Sequence, residues 1–132
     1  MESMMFDTSL LNEPMVRLVV GIVIGLVLGS FTTMLSYRLP RRLSIITPPS
    51  TCPTCQTQLT PLDLIPVLSW LMNKGCCRHC TAPIGARYMV IELVTTLAIT
   101  AAFVALGFTP TLLAAIIGIM AVITYTVIRC EY

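Results

Sequence analysis

With 132 residues, 56% of them hydrophobic and 11% charged, the chain is too apolar for a soluble domain, where about a quarter of residues carry charge. The formal net charge of +2 comes from basic residues that form no stripe interleaved with aromatics, which excludes a nucleic-acid surface. The composition is that of a membrane protein.

Residues 1–14 read as an extracytoplasmic tail. It holds Glu2, Asp7 and Glu13 and no Lys or Arg, so it lacks the basic start of a cleaved signal peptide, and the first apolar run is expected to stay in the mature protein. That run, residues 15–37, is read as the first membrane span. Its stretch from Leu18 to Ser36 carries no charge, and 19 residues at about 1.5 Å each cover a hydrocarbon core of about 30 Å. Gly21, Gly25 and Gly29 recur every fourth residue and predict a stripe on which another helix docks closely.

Tyr37 and the cluster Arg38, Arg41 and Arg42, with Pro40, mark the polar edge of the bilayer. Residues 38–87 form a loop carrying six basic residues, Lys74, Arg78 and Arg87 being the others, against one acid, Asp63. The positive-inside rule puts this loop in the cytoplasm and the N-terminus outside. Within it, the apolar segment Leu62 to Met72 is too short to span and predicts a helix lying at the interface, with Trp70 at headgroup depth. Two further spans follow, 88–107 and 110–129, joined by a tight uncharged turn at Gly107-Phe108-Thr109-Pro110. The expected fold class is an all-α membrane protein of three transmembrane helices with a cytoplasmic two-knuckle loop. No internal repeat is legible.

Cys52-Pro-Thr-Cys55 and Cys77-Arg-His-Cys80, with 21 residues between them, are the strongest chemical signal. Two thiol pairs at this spacing place four soft ligands around a tetrahedral Zn²⁺. Cys76 and His79 are alternative donors, so the third and fourth ligands stay open, with Cys77 and Cys80 fitting the knuckle spacing better. In a reducing cytosol metal binding is favoured over disulfides, and a closed four-thiolate site is structural. Redox catalysis by a Cys-x-x-Cys pair is the lesser reading, because no thioredoxin-like pattern surrounds it. Cys130 is read as an inert thiol.

Glu92 lies about one turn inside a span, where a carboxylate requires a partner or a task. Pairing with Arg87 or Arg38 is one reading, and binding a cationic group of a substrate or cofactor is the other. The only aspartates, Asp7 and Asp63, lie outside the apolar runs, so no intramembrane pair is present to activate water.

Gly29-Ser30-Phe31, Tyr37-Arg38-Leu39-Pro40, Cys52-Pro-x-Cys55, Leu64-Ile65-Pro66-Val67-Leu68-Ser69-Trp70-Leu71, Gly75-x-Cys77-Arg78-x-Cys80 and Pro83-Ile84-x-x-Arg87-Tyr88 with Glu92 together resemble the N-terminal region of type IV prepilin peptidases. The resemblance covers about positions 25 to 95. It implies a bacterial inner-membrane protein of a family of aspartic peptidases that cleave the leaders of prepilins and of type II secretion pseudopilins. Many members then N-methylate the new terminus with S-adenosylmethionine, and the matched region is the part associated with methylation and zinc. Arg87 and Glu92 become candidate contacts for a substrate amine or cofactor carboxylate. The chain departs from the pattern at Thr33, where Asn is common, and at Arg129, where a catalytic aspartate is expected after Ile128. The family's second aspartate, in Gly-x-Gly-Asp, is not reached before Tyr132. The expectation is therefore a truncated relative lacking peptidase activity by itself. The alternative is a non-catalytic membrane-bound zinc-knuckle protein that binds prepilins or a full-length peptidase, the latter through the Gly21/Gly25/Gly29 stripe.

Overall fold

The computed structural model describes residues 8–65 and 67–132. A four-residue helix, α1 (Thr8–Leu11), precedes α2 (Pro14–Arg38); a loop with the five-residue α3 (Leu68–Met72) leads to α4 (Ala86–Leu106) and α5 (Pro110–Glu131). The helices α2, α4 and α5 are each long and apolar enough to cross a membrane, and the described residues contain no strand, only two isolated antiparallel bridges. Residues 1–7 of the expected tail lie outside the described part, and Thr8–Leu11 within it is helical.

The glycine stripe docks as its spacing predicts, and its partner is α4. A Cβ at Gly21 would stand 3.0 Å from Thr100 Cα, one at Gly25 2.9 Å from Thr96 Cα, and one at Gly29 2.9 Å from the Glu92 carbonyl oxygen. Two antiparallel ridges of period four therefore interlock: glycines on α2 against Glu92, Thr96 and Thr100 on α4. In lipid, where tails are as apolar as leucine, such close backbone approach supplies the dispersion contact that holds helices together.

Four of the buried positions at this contact are threonines whose hydroxyls donate back to their own helix, whereas the buried Thr100 hydroxyl has no partner. Thr32 donates to Leu28 O at 2.8 Å, Thr33 to Gly29 O at 3.0 Å, Thr95 to Ile91 O at 2.7 Å and Thr96 to Glu92 O at 2.7 Å. Bonding back to the preceding turn lets a polar side chain be buried without a cross-helix partner. Larger side chains form the core at the opposite end from the cysteines, where Ile99, Phe103 and Leu112 pack against Val20, Ile24 and Ile116. Phe108 in the α4–α5 turn closes that end edge-on to Phe103, with ring centroids 5.6 Å apart. Arg17 lies across the same turn, donating to Val104 O at 3.4 Å and to Asn12 Oδ1 at 2.8 Å, so its charge sits at the negative end of the α4 dipole.

The interfacial helix expected over Leu62 to Met72 is shorter, covering Leu68–Met72. The reason is local. Asp63 Oδ2 accepts the Thr60 amide at 3.0 Å and the Thr60 hydroxyl at 2.7 Å, which folds the start of the segment into a turn, and Val67 takes φ +59°, which no right-handed helix accommodates.

Candidate metal centre

Each cysteine pair sits at the tip of a short hairpin, and the two hairpins are built alike with an offset of 25 residues. In the first, Cys52 N donates to Thr57 O at 3.0 Å, Gln56 N to Cys52 O at 2.9 Å and Leu59 N to Ser50 O at 2.9 Å. In the second, Cys77 N donates to Ala82 O at 2.8 Å, Thr81 N to Cys77 O at 3.0 Å and Ile84 N to Gly75 O at 2.6 Å. The bridges Thr51–Gln58 and Cys76–Pro83 correspond, as do Gln56 and Thr81, with φ of +59° and +58°. The loop is thus a duplicated unit, a repeat that the amino-acid sequence conceals.

The duplication brings the predicted thiols together. The sulfurs of Cys52, Cys55, Cys77 and Cys80 all lie within 4.8 Å of one another, and those of Cys52 and Cys80 are 3.8 Å apart. With Zn–S bonds of about 2.3 Å, tetrahedral geometry requires sulfurs about 3.8 Å apart, so the quartet fits the ion. The first cysteine of each pair is buried and the second half-buried, and all are free thiols. The two alternative donors stay out of the cluster: Cys76 Sγ turns to Lys74 O, 3.7 Å away, and His79 is exposed. Cys130, also free, is exposed at the end of α5.

Electrostatics favour thiolates at three of the four positions. Amide groups of Cys55 and Thr54 lower the Cys52 thiol, those of Cys80 and His79 lower Cys77 in the same way, and the Thr57 hydroxyl, 3.2 Å from the sulfur, lowers Cys55. Cys80 is the exception. The Ala82 amide lowers it, but burial and the sulfurs of Cys77, Cys52 and Cys55 outweigh that and push it up to about 11. The contrast follows from the duplication, since Thr57 in the first hairpin is replaced by Ala82, without a hydroxyl, in the second. A cation among the sulfurs would reverse the penalty at Cys80.

The second hairpin is anchored to the rest of the loop by Trp70. Its indole Nε1 donates to Ile84 O at 3.1 Å, Gly75 N donates to Trp70 O at 2.9 Å, and the ring lies over Gly75, where a Cβ would come within 2.8 Å of Cζ2. Gly75 also has φ +71°, so glycine is required there for space and for backbone conformation. α3 is tied in turn to the spans, because Val67 N donates to Glu92 Oε2 at 2.8 Å, with Ser30 beside the same carboxylate.

Glu92 and Arg87 are not brought together. Five positions apart on α4, they point about 140° away from each other around the axis. Arg87 pairs instead with Glu131 at the end of α5, and Arg38 donates to Ser44 O at 2.6 Å and Pro48 O at 2.8 Å, bracing the loop. Glu92's partner is a backbone amide, which no charge-pairing argument from sequence would select.

The model of the bacterial peptidase A24 N-terminal domain matches residues 23–106. A prepilin leader peptidase/N-methyltransferase of Bacillus subtilis is 42% identical over 105 residues, covering 80% of this chain and 42% of that protein. A type 4 prepilin-like proteins leader peptide-processing enzyme of Escherichia coli is 37% identical over 113 residues, covering 72% and 42%, and a prepilin leader peptidase/N-methyltransferase of Myxococcus xanthus is 40% identical over 95 residues, covering 72% and 28%. The matches thus span less than half the length of these relatives. No solved structure matches the chain. With the family match running from the glycine stripe through both hairpins to the end of α4, the chain belongs to the bacterial peptidase A24 N-terminal domain family.

Proposed function

We propose that the four thiols hold one structural Zn²⁺ and that the chain works as the N-terminal region of a prepilin leader peptidase/N-methyltransferase in the bacterial inner membrane, its cysteine loop in the cytoplasm. The convergence of four sulfurs within 4.8 Å of one another carries the reading. Bound there, the ion would keep the thiolates ionised and cross-link the two hairpins; four protein ligands leave no position for water or substrate, so its contribution is to the shape of the loop. The six basic residues against one acid in the loop support the cytoplasmic placement.

The names of the relatives support prepilins or prepilin-like pseudopilins as substrates and an N-methyl transfer, for which the family resemblance implies S-adenosylmethionine as donor. Arg87 and Glu92 are the charged groups of α4 at the loop end of the bundle. To meet a cofactor carboxylate or substrate amine, Arg87 would exchange Glu131 and Glu92 would exchange the Val67 amide for the incoming group. With neither Asp7 nor Asp63 in a span, leader cleavage is not expected of this chain by itself. The closed four-thiolate arrangement, with no open position, also suits a second reading, a non-catalytic module that binds prepilins or a full-length peptidase.

A methyl-transfer assay separates the two. Purified chain is incubated with labelled S-adenosylmethionine and a mature pilin peptide. Transfer above that of Cys52→Ser supports the methylation reading, and equal background from both supports the binding module.

A further inference from the structure

The two hairpins of the metal centre are alike in backbone and unlike in how they shield their sulfurs. Cys52 and Cys77, the first of each pair, are 7% and 5% exposed. Each faces two backbone amides, those of Thr54 and Cys55 in one hairpin and of His79 and Cys80 in the other. Cys55 and Cys80, the second of each pair, are half-buried. Cys55 faces the Thr57 amide and, 3.2 Å away, the Thr57 hydroxyl, which donates to the sulfur once it is a thiolate. Cys80 faces the Ala82 amide, and the methyl group of Ala82 supplies no second donor. Among the described residues, Cys80 is therefore the one member of the quartet that is both partly open to solvent and short of a donor.

We propose that Cys80 Sγ is the nucleophilic sulfur of the loaded centre, the position that a soft electrophile such as an α,β-unsaturated carbonyl compound modifies, and that Thr57 shields Cys55 from the same attack. The inference rests on the metal reading given above, since the ion is what keeps all four sulfurs ionised. A donor aimed at a thiolate holds its electron pair and lowers its nucleophilicity, so the sulfur with fewest donors attacks fastest. In the step, Cys80 Sγ forms a bond to the β-carbon of the electrophile, the carbon–carbon π bond breaks, and water protonates the α-carbon. The product is a neutral thioether, a poorer ligand than a thiolate, so the centre opens. Among the described residues no hydrogen bond links residues 50–59 to 75–84 except the contact of Cys52 with Cys80, and the nearest ion pair across the loop is Arg78 Nε to Asp63 Oδ1 at 3.4 Å. Modifying Cys80 thus releases the hairpins from each other.

N-ethylmaleimide tests this, added at less than one equivalent to the full zinc-loaded chain in detergent, with the labelled cysteine located by peptide mass mapping. Initial labelling of Cys80 should be about tenfold faster than that of Cys55, Cys52 or Cys77, the difference one hydrogen bond to a charged sulfur makes, with one zinc released per Cys80 labelled. Cys76 and Cys130 lie outside the quartet, so labelling them should release none. Thr57→Val should raise Cys55 labelling about tenfold, to the rate of Cys80, while Thr57→Ser keeps the wild-type ratio. Ala82→Thr should slow Cys80 about tenfold. One zinc per chain shows that a variant's loop is folded, and either hairpin's variant decides the point by itself. Equal rates at Cys55 and Cys80, a faster Cys55, or a ratio unmoved by these substitutions in zinc-loaded protein would overturn the assignment and leave the metal reading standing. Wild-type chain that binds no zinc would overturn both.

Discussion

The Glu92 carboxylate accepts the backbone amide of Val67 at 2.8 Å, and this bond fastens the cysteine loop to the transmembrane bundle. It holds a β-branched residue at φ +59°, a conformation costing on the order of 1–3 kcal/mol, so the carboxylate compensates for strain at the root of α3. Glu92→Leu should remove about 1–2 kcal/mol of local stability and speed hydrogen exchange at the Val67 amide about tenfold. Glu92→Gln, which keeps an acceptor oxygen, should retain most of the protection. Equal exchange in wild type and Glu92→Leu would show that the bond does not anchor the loop.

The interlock of α2 and α4 makes a sharp positional prediction. Gly25→Leu pushes a side chain into Thr96 and should cost about 1–3 kcal/mol, seen as a lower unfolding temperature in detergent. A Cβ at Gly118 meets nothing within 4 Å, so Gly118→Leu should leave that temperature unchanged or raise it. Identical behaviour of the two variants would mean that the glycine stripe is not a packing surface.

Gly75 tests the coupling between Trp70 and the second hairpin. Gly75→Ala must displace the indole and strain the backbone, so it should red-shift the fluorescence of Trp70, the chain's single tryptophan, and accelerate metal loss to a chelator several-fold. Unchanged fluorescence and unchanged release would separate Trp70 from the metal centre.

Asp63 provides a pH prediction. The Thr60 hydroxyl first, then the Thr60 amide and Arg78, hold its carboxyl below the ordinary range. A carboxylate lowered by folding stabilises the fold above its unfolded value of about 3.9, and that contribution is lost as pH falls through the lower folded value. The turn at Thr60 should therefore stay closed through neutral and mildly acidic pH and open only below about pH 4, followed by the Thr60 amide resonance. Asp63→Asn should abolish that transition.

Much of this architecture is legible in the residues themselves. Long apolar runs bounded by Pro14, Arg38, Arg87 and Pro110 announce three helices, and Gly21, Gly25 and Gly29 announce a docking face, because lipid imposes simple rules of length and packing. The cysteine spacing announces the quartet. The hairpin duplication is not legible. Its backbone pattern demands identity only at the cysteines, and the left-handed positions are held by Gln56 and Thr81 where glycine would have signalled a turn. The charge pairing was equally hidden: Glu131 reaches Arg87 only because the α4–α5 hairpin returns its end there, and Glu92 answers a backbone amide, which leaves no trace in charge patterning.

Elemental analysis of the purified chain tests the central claim most directly. The sulfur geometry predicts one zinc per chain, lost together with loop protection in Cys52→Ser and in Cys77→Ser alike, because each removes one ligand from the same ion. Protein that is folded, reduced and free of zinc, or zinc that survives both substitutions, would contradict it.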